Sequence, residues 1–441
     1  MTETSPAESN DQITKPRVLP PGIILPFILL SSCFAWWGIA NNMTDPLVRA
    51  FTGIFDGLST FQSSLIQFAF YGAYFVLAIP GSIIARKFGY KKGVLIGLGM
   101  YFIGCFLFYP ASLIQQFVPF LISFYVLAGG LSILETNANP YVLALGPEQT
   151  ATQRLNLAQS FNPVGSVIGT LLCQILILAK LEALGQKTVD ATAEQVKALQ
   201  AQQLSIVILP YLIVGGILVV VWLIIAFTKM PFVKESDKNV HFFDTIKRLS
   251  KNPNYVFAVV AQFFYVGAQI AVWTYTVYYV PDQLGISGSE TLRYYHTPAL
   301  IIFGISRFIA TALMSKFQPY SILKMMAILG GLFTLIVVFV GGQVGAIALV
   351  GISACMSLMF PTIFGLGSRG LGEDTKIGGS GLIMAILGGA LLTPLQGFLI
   401  DVSNVRLSYL VPLVCFVVIT AYAVYAGKYK VPESNVKAVI E

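Results

Sequence analysis

Charge is what this 441-residue sequence has least of. Lys, Arg, Asp and Glu together make up 11% of it, against about a quarter in an average soluble domain, which excludes a water-exposed globular surface for most of the chain. Histidine is nearly absent, and His241 and His296 are too few and too far apart for a metal site. Five cysteines (Cys33, Cys105, Cys173, Cys355, Cys415) are scattered through apolar runs without metal-ligand spacing, and they make no disulfide framework. No glycine loop carries the lysine that cradles a nucleotide phosphate, so ATP hydrolysis has no machinery. The first twenty residues lack the basic start and short apolar core of a cleavable signal. Neither an enzyme nor a bound cofactor is expected.

What the chain has instead is apolar length. Hydrophobic residues make up 56% and the mean hydropathy is +0.76. Runs long enough to cross a bilayer fall at 23–47, 61–85, 93–112, 117–145, 157–180, 205–228, 255–280, 295–314, 321–341, 344–367, 378–400 and 407–427. The expectation is an all-α membrane protein of twelve transmembrane helices. With the N-terminus in the cytoplasm, alternate loops collect 21 of the 27 Lys and Arg, leaving Arg49, Lys180, Lys187, Lys197, Arg293 and Arg406 outside. This is the positive-inside pattern. The net charge of +7 is therefore a topology signal and implies no nucleic-acid partner. The longest basic loop, from Lys229 to Lys251, lies near mid-chain. It divides a tail (1–22) and a first six-helix half (23–228) from a linker (229–254), a second half (255–427) and a second tail (428–441). A polar insert from Glu182 to Gln203 is expected to form an outside loop between the fifth and sixth spans.

Glu135 is the residue around which the rest is organised. It lies in an apolar run from about Phe117 to Leu145, well inside the hydrocarbon layer. An ionisable group there costs a few kcal/mol, roughly 2.5–3.5 for Asp and basic residues at mid-helix, and normally faces a pathway rather than lipid. Helical spacing sets Ser132 and Asn139 on its face. A structural carboxyl bonded to neighbouring helices is the alternative to an ion or substrate role.

Other spans carry polar groups that need a similar explanation. In the first, Asn41 and Asn42 lie four and three residues before Asp45, and Pro46 is expected to weaken or end the helix there. In the fifth, Gln159 and Asn162 share a face, and the following Pro163 and Gly165 suggest an opened, cavity-lining helix. In the seventh, Gln262, Gln269 and Trp273 fall on one stripe. Two amides and an indole would suit a sugar, whose hydroxyls need hydrogen bonds and whose C–H face stacks on rings; interhelical packing is the alternative. Arg307, near the cytoplasmic end of the eighth span, either snorkels to the interface or serves function.

The two halves repeat. Pro140 and Gly146 recur as Pro361 and Gly367, both displaced by 221 residues, and basic loops follow at Arg154 and Lys376. Glycine-rich helices come next in both, with Gly165 and Gly169 in one and Gly388 and Gly389 in the other. Parallel six-span repeats with substrate held between them at mid-membrane are the architecture of the major facilitator fold. The loop Gly81–Lys92 partly resembles a signature of that superfamily, with Ala85 where an acidic residue is usual.

Motifs in both halves resemble the fucose–galactose–glucose permease family of that superfamily. They are Asn41-Asn42 with Asp45, Glu135-Thr136 with Ala138-Asn139-Pro140, Arg154 to Gln159 with Asn162, Ala261-Gln262 with Tyr265 to Gln269, Pro361 to Phe364, Gly372 with Asp374-Thr375-Lys376, and Gly388-Gly389 with Thr393-Pro394. The resemblance runs from about Leu25 to Asp401. It implies symport of a neutral monosaccharide with a proton as coupling ion, L-fucose first and galactose or glucose as alternatives, by alternating access of the two halves. It implies a monomer in a bacterial inner membrane with both termini cytoplasmic. By the same resemblance Asp45 and Glu135 are the essential carboxylates, Asn42, Gln159 and Asn162 line the sugar, and Arg307 is the eighth-span arginine and a possible charge partner. Phe360 stands where the fucose carriers have a tyrosine, and Thr44 where they have an asparagine. A sodium-coupled sugar carrier, a drug or sugar efflux antiporter and a non-transporting sensor are the rival readings.

Overall fold

The structure, a computed structural model, describes residues 17–55, 60–185, 193–231 and 242–430. Residues 1–16 and 431–441 of the two tails and 232–241 of the linker lie outside the described residues. Twelve helices are long and apolar enough to cross a membrane. They are α1 (Ile24–Ile54), α2 (Thr60–Phe88), α3 (Tyr90–Ile114), α4 (Phe117–Ala144), α5 (Glu148–Leu181) and α6 (Ala193–Phe227). The second six are α7 (Pro253–Leu284), α8 (Leu292–Leu313), α9 (Pro319–Phe339), α10 (Gly342–Gly367), α11 (Gly372–Val402) and α12 (Val405–Lys428). Hydrocarbon leaves the backbone nothing to bond but itself, and a helix meets that demand within one segment. The chain is a multi-pass integral membrane protein built as two pseudo-symmetric six-helix halves.

Two local expectations change. Pro46 does not end α1, whose backbone stays helical to Ile54; neighbouring helices commonly stabilise a proline inside a spanning helix. The insert 182–203 is largely helical where described, running to Gly185 and again from Ala193. Its Ala, Gln, Glu and Lys are good helix formers, and from Ala193 onward they lengthen α6 at its N-terminal end. At 35 residues that helix is about 52 Å long.

Within each half the packing repeats. α1 crosses α5 as α7 crosses α11, and α3 meets α6 as α9 meets α12. Two glycines make the first of these crossings possible in each half. A Cβ on Gly165 would lie 1.9 Å from the Ala35 carbonyl oxygen, and one on Gly388 would lie 1.9 Å from that of Phe263. Gly165 thus serves a close backbone approach, and its presence does not open α5 as expected. The break in α5 is at Ser160, between the helices Ala151–Gln159 and Phe161–Leu172. Similar breaks divide α10 at Ser357–Leu358 and α11 at Ala385–Ile386.

The halves meet at the end that carries the basic loops. There α11 packs on α2 and α4, and α5 packs on α8 and α10. Gly379 faces Pro140, Gly365 faces Thr152, and Gln153 Nε2 donates to the Thr311 carbonyl at 3.1 Å. Arg154 and Lys376 are not ordinary loop residues. Both are buried. The Arg154 guanidinium donates to the carbonyls of Val142 (2.8 Å), Leu143 and Gly146 (3.0 Å), closing the α4–α5 turn, while the Lys376 ammonium sits 5.5 Å from the Tyr90 ring centre. The linker contributes a short helix, Phe242–Ser250, whose Arg248 makes a bidentate pair with Asp374 (Nε–Oδ2 2.9 Å, Nη2–Oδ1 2.7 Å).

The glycine crossings give a direct test. Gly165→Ala and Gly388→Ala should each lower the stability of detergent-purified protein by on the order of 1–3 kcal/mol, the usual penalty of overpacking. Gly216→Ala, with open space around its Cβ, should leave it unchanged or raise it. Thermal unfolding curves compare the three, and equal midpoints would contradict the close approach.

Candidate functional site

Glu135 lies on α4, 5% exposed, in the part of that helix that is buried without a break from Leu127 to Val142. One turn back, Ser132 Oγ donates to the Tyr74 carbonyl of α2 at 2.9 Å. The Tyr74 hydroxyl in turn accepts from Trp37 Nε1 of α1. One turn on, Asn139 Oδ1 accepts from Gln159 Nε2 of α5 at 2.7 Å. Four helices of the first half therefore converge around one carboxyl. Among the described residues Glu135 Oε2 and Thr136 Oγ1 have no hydrogen-bond partner, and the ion pair present is the peripheral Arg248–Asp374.

Gln159 is also the joint to the second half. Its backbone carbonyl accepts from Arg307 Nη1 of α8 at 2.9 Å, and Arg307 Nε donates to the Ser357 carbonyl at the break in α10. The same guanidinium lies 4.7 Å from the Phe303 ring centre. At 3% exposure Arg307 does not snorkel. A buried guanidinium needs acceptors, and the broken helices supply them as free carbonyls. No carboxylate within the described residues pairs with it; its partners are carbonyls and a ring. Nearby, Asn156 Nδ2 donates to Thr362 Oγ1 at 3.1 Å, a bond between the halves in which both partners are side chains.

The other residues expected at the site are placed unequally. Asn162 is part-buried, and its Nδ2 donates to the Phe34 carbonyl of α1 at 3.4 Å. Asn42 donates to Gly38 of its own helix at 3.0 Å. Asp45 lies on the helical backbone of α1, but its side chain is outside the described residues. In the second half Gln262 is fully buried, and neither heteroatom of its amide has a partner among the described residues. Gln269 is half-buried further along α7. Trp273 is half-buried: its Nε1 donates to Ser353 Oγ at 3.1 Å and its ring meets Phe303 edge-on at 5.0 Å. Phe360 is half-buried, with its ring edge against Tyr265 at 6.2 Å.

Tyr265 was not among the expected site residues. It is fully buried with an unpartnered hydroxyl, one turn from Gln262 and beside Phe360. Its spacing from Gln262 was the available signal, since three residues on α7 put both on one face. Trp37 and Tyr74 were missed for another reason: their contact joins two helices, and no spacing within either announces it. Chemically, the arrangement offers a carboxyl that can take or release a proton, unpaired amide and hydroxyl groups, and aromatic faces. That set suits a neutral polyhydroxy ligand.

Gln262 separates function from stability. A buried amide left without partners destabilises a fold by about 1–3 kcal/mol, so Gln262→Leu should raise the thermal midpoint of the empty protein while weakening sugar binding at least tenfold. Melting curves and equilibrium binding on the same preparation check both halves. A fall in melting temperature with binding intact would make Gln262 a packing residue.

The sequence matches the Major Facilitator Superfamily over residues 25–386. It is 42% identical to the L-fucose-proton symporter of Haemophilus influenzae over 425 residues, covering 93% of this chain and 99% of the relative. It is 33% identical to a glucose/galactose transporter of Brucella abortus over 406 residues, covering 90% and 93% respectively. Among solved structures, the transporter FucP in its outward conformation superposes with a TM-score of 0.84 at 39% identity, covering 91% of this chain and 99% of that one.

Proposed function

The chain belongs to the major facilitator superfamily, and on that premise we propose that it carries L-fucose inward together with a proton. The observation that carries the reading is Glu135: a buried carboxyl with an unpartnered oxygen, one helical turn from Asn139, which accepts from the Gln159 amide, whose backbone carbonyl in turn takes the arginine of the opposite half. The close relatedness to an L-fucose-proton symporter over nearly the whole chain supports the sugar and the coupling ion. The basic end is the cytoplasmic side, the membrane is the bacterial inner membrane, and both tails face the cytoplasm. The protein acts as a monomer.

The halves are joined at the basic end by Asn156–Thr362, Gln153–Thr311 and Gln159–Arg307, so the described conformation is closed to the cytoplasm. Sugar enters from the opposite face and meets the amides of Gln159, Asn162, Asn42, Gln262 and Gln269 between the rings of Phe360 and Trp273. Glu135 is neutral when sugar is bound and ionises once the cytoplasmic side opens to water. Asp45, nearer the outer face, relays the proton and helps recognise the sugar. A charged carboxylate in hydrocarbon is expensive, which ties its ionisation to access to water. The cycle rocks one six-helix half against the other around this level.

Glu135→Gln keeps the shape and a hydrogen-bonding head but cannot ionise. Sugar-for-sugar exchange across vesicles should survive in this variant, because exchange needs no deprotonation, while proton-driven accumulation should vanish. A variant that still concentrates L-fucose would transfer the role to Asp45. Loss of both activities in folded protein would place Glu135 in sugar binding or in the switch.

Position 360 tests the choice of sugar. Phe360→Tyr adds a hydroxyl beside Tyr265 and should change the relative affinities for L-fucose, galactose and glucose by at least a few-fold, the range that one hydrogen bond contributes. Competition against labelled L-fucose measures it, and an unchanged ranking would remove Phe360 from substrate reading.

A further inference from the structure

A cleft of about 440 Å³ opens at the basic end, and none of the candidate sugar or proton residues lines it. One wall is α5, with Gln153 and Leu157; the other is α8, with Phe308, Thr311 and Ala312. The segment Arg17–Leu19 borders it. Gln153 Nε2 donates across the cleft to the Thr311 carbonyl, and Thr311 Oγ1 donates within α8 to the Arg307 carbonyl. Leu157, Phe308 and Ala312 leave the remaining lining apolar, and Phe308 and Ala312 are exposed.

The Arg17 segment is held in place by its backbone. Arg154 Nη1 donates to the Val18 carbonyl at 3.3 Å, and Thr150 Oγ1 donates to the Arg17 carbonyl at 3.5 Å. The Arg17 side chain is exposed and pairs with no carboxylate among the described residues. The depth of the cleft follows from the helix ends. Thr311 and Ala312 lie in the last turn of the α8 span, Gln153 near the start of the α5 span, and Arg17 just before α1. All three meet where lipid headgroups sit.

We propose that this cleft holds an anionic phospholipid of the surrounding membrane, one acyl chain lying against Leu157 and Phe308 and its phosphate on Arg17. An apolar slot with a cation at its polar edge complements that molecule. A soluble anion would leave the apolar walls unused, and an uncharged apolar ligand would leave the guanidinium unused. Basic pockets between spanning helices on the cytoplasmic side are of the kind that bind acidic headgroups.

The cleft has a conformational consequence. Its two walls come from different halves, so it is complete only while α5 and α8 are together at the basic end. The lipid therefore binds the conformation closed at that end better than one in which the halves have parted, and shifts the population toward it. By reciprocity, ligands that favour that conformation strengthen lipid binding by the same factor.

Native mass spectrometry of protein released from nanodiscs of phosphatidylcholine and phosphatidylglycerol tests this without any sugar. The unmodified protein should retain phosphatidylglycerol in preference to phosphatidylcholine. Arg17→Gln, at an exposed residue outside the core, should reduce that preference about fivefold, the factor one basic residue is worth near an acidic surface. Ala312→Trp should fill the slot from an exposed position and reduce retention of both lipids. Equal retention of the two lipids by the unmodified protein overturns the proposal, as does undiminished preference in Arg17→Gln. Displacement of the retained lipid by inorganic phosphate would also overturn it, because the occupant would then be a soluble anion.

Discussion

A carboxyl group in the middle of a membrane has to be kept neutral, given partners, or given water, and the centre of this protein is arranged around that constraint. Glu135 has amides and hydroxyls on the neighbouring turns of its own helix, and helices α1, α2 and α5 close around it. No cation sits against it among the described residues. A fixed cation would hold the charge permanently and leave nothing to couple. Arg307 is instead held by the carbonyls of Gln159 and Ser357, and the Gln159 side chain bonds Asn139, one turn along α4 from Glu135.

Those carbonyls exist because helices break. Ser160, Ser357 and Ala385 interrupt α5, α10 and α11 near the level at which the halves touch. Irregular backbone at membrane depth is tolerated only where protein or a cavity satisfies it, and here it is Arg307 that satisfies Ser357. The result is a seam in which direct helix packing is joined by a few specific bonds. Alternation between two faces of a membrane requires those contacts to part as the halves move.

Much of the fold was legible in the sequence, because spanning length is a one-dimensional property: the twelve apolar runs became twelve helices with ends shifted by a few residues to about a dozen. Glu135 stood out because a charge in such a run is expensive wherever it points. What composition hid was the side of the membrane boundary on which a helix stops. The described parts of the Ala- and Gln-rich insert are helical, and Pro46 leaves the α1 backbone helical. Contacts between distant helices were hidden too. A helix with lipid on one side and protein on the other is apolar all round, so periodicity does not reveal which neighbour it meets. Trp37 with Tyr74, Asn156 with Thr362 and the burial of Arg154 and Arg307 all belong to that class. Gln262 and Trp273 were visible as members of one stripe, whereas the contacts of Trp273 with Ser353 and Phe303 on other helices were not.

The central claim is that sugar and proton cross together because one buried carboxyl changes charge only at an open face. Its most direct measurement is paired flux in sodium-free proteoliposomes, with labelled L-fucose uptake and internal pH recorded on the same sample. The account predicts that L-fucose entry acidifies the interior in fixed proportion to the sugar taken up, and that adding sodium changes neither flux. Sugar uptake with no accompanying acidification, or uptake that requires sodium, would contradict it.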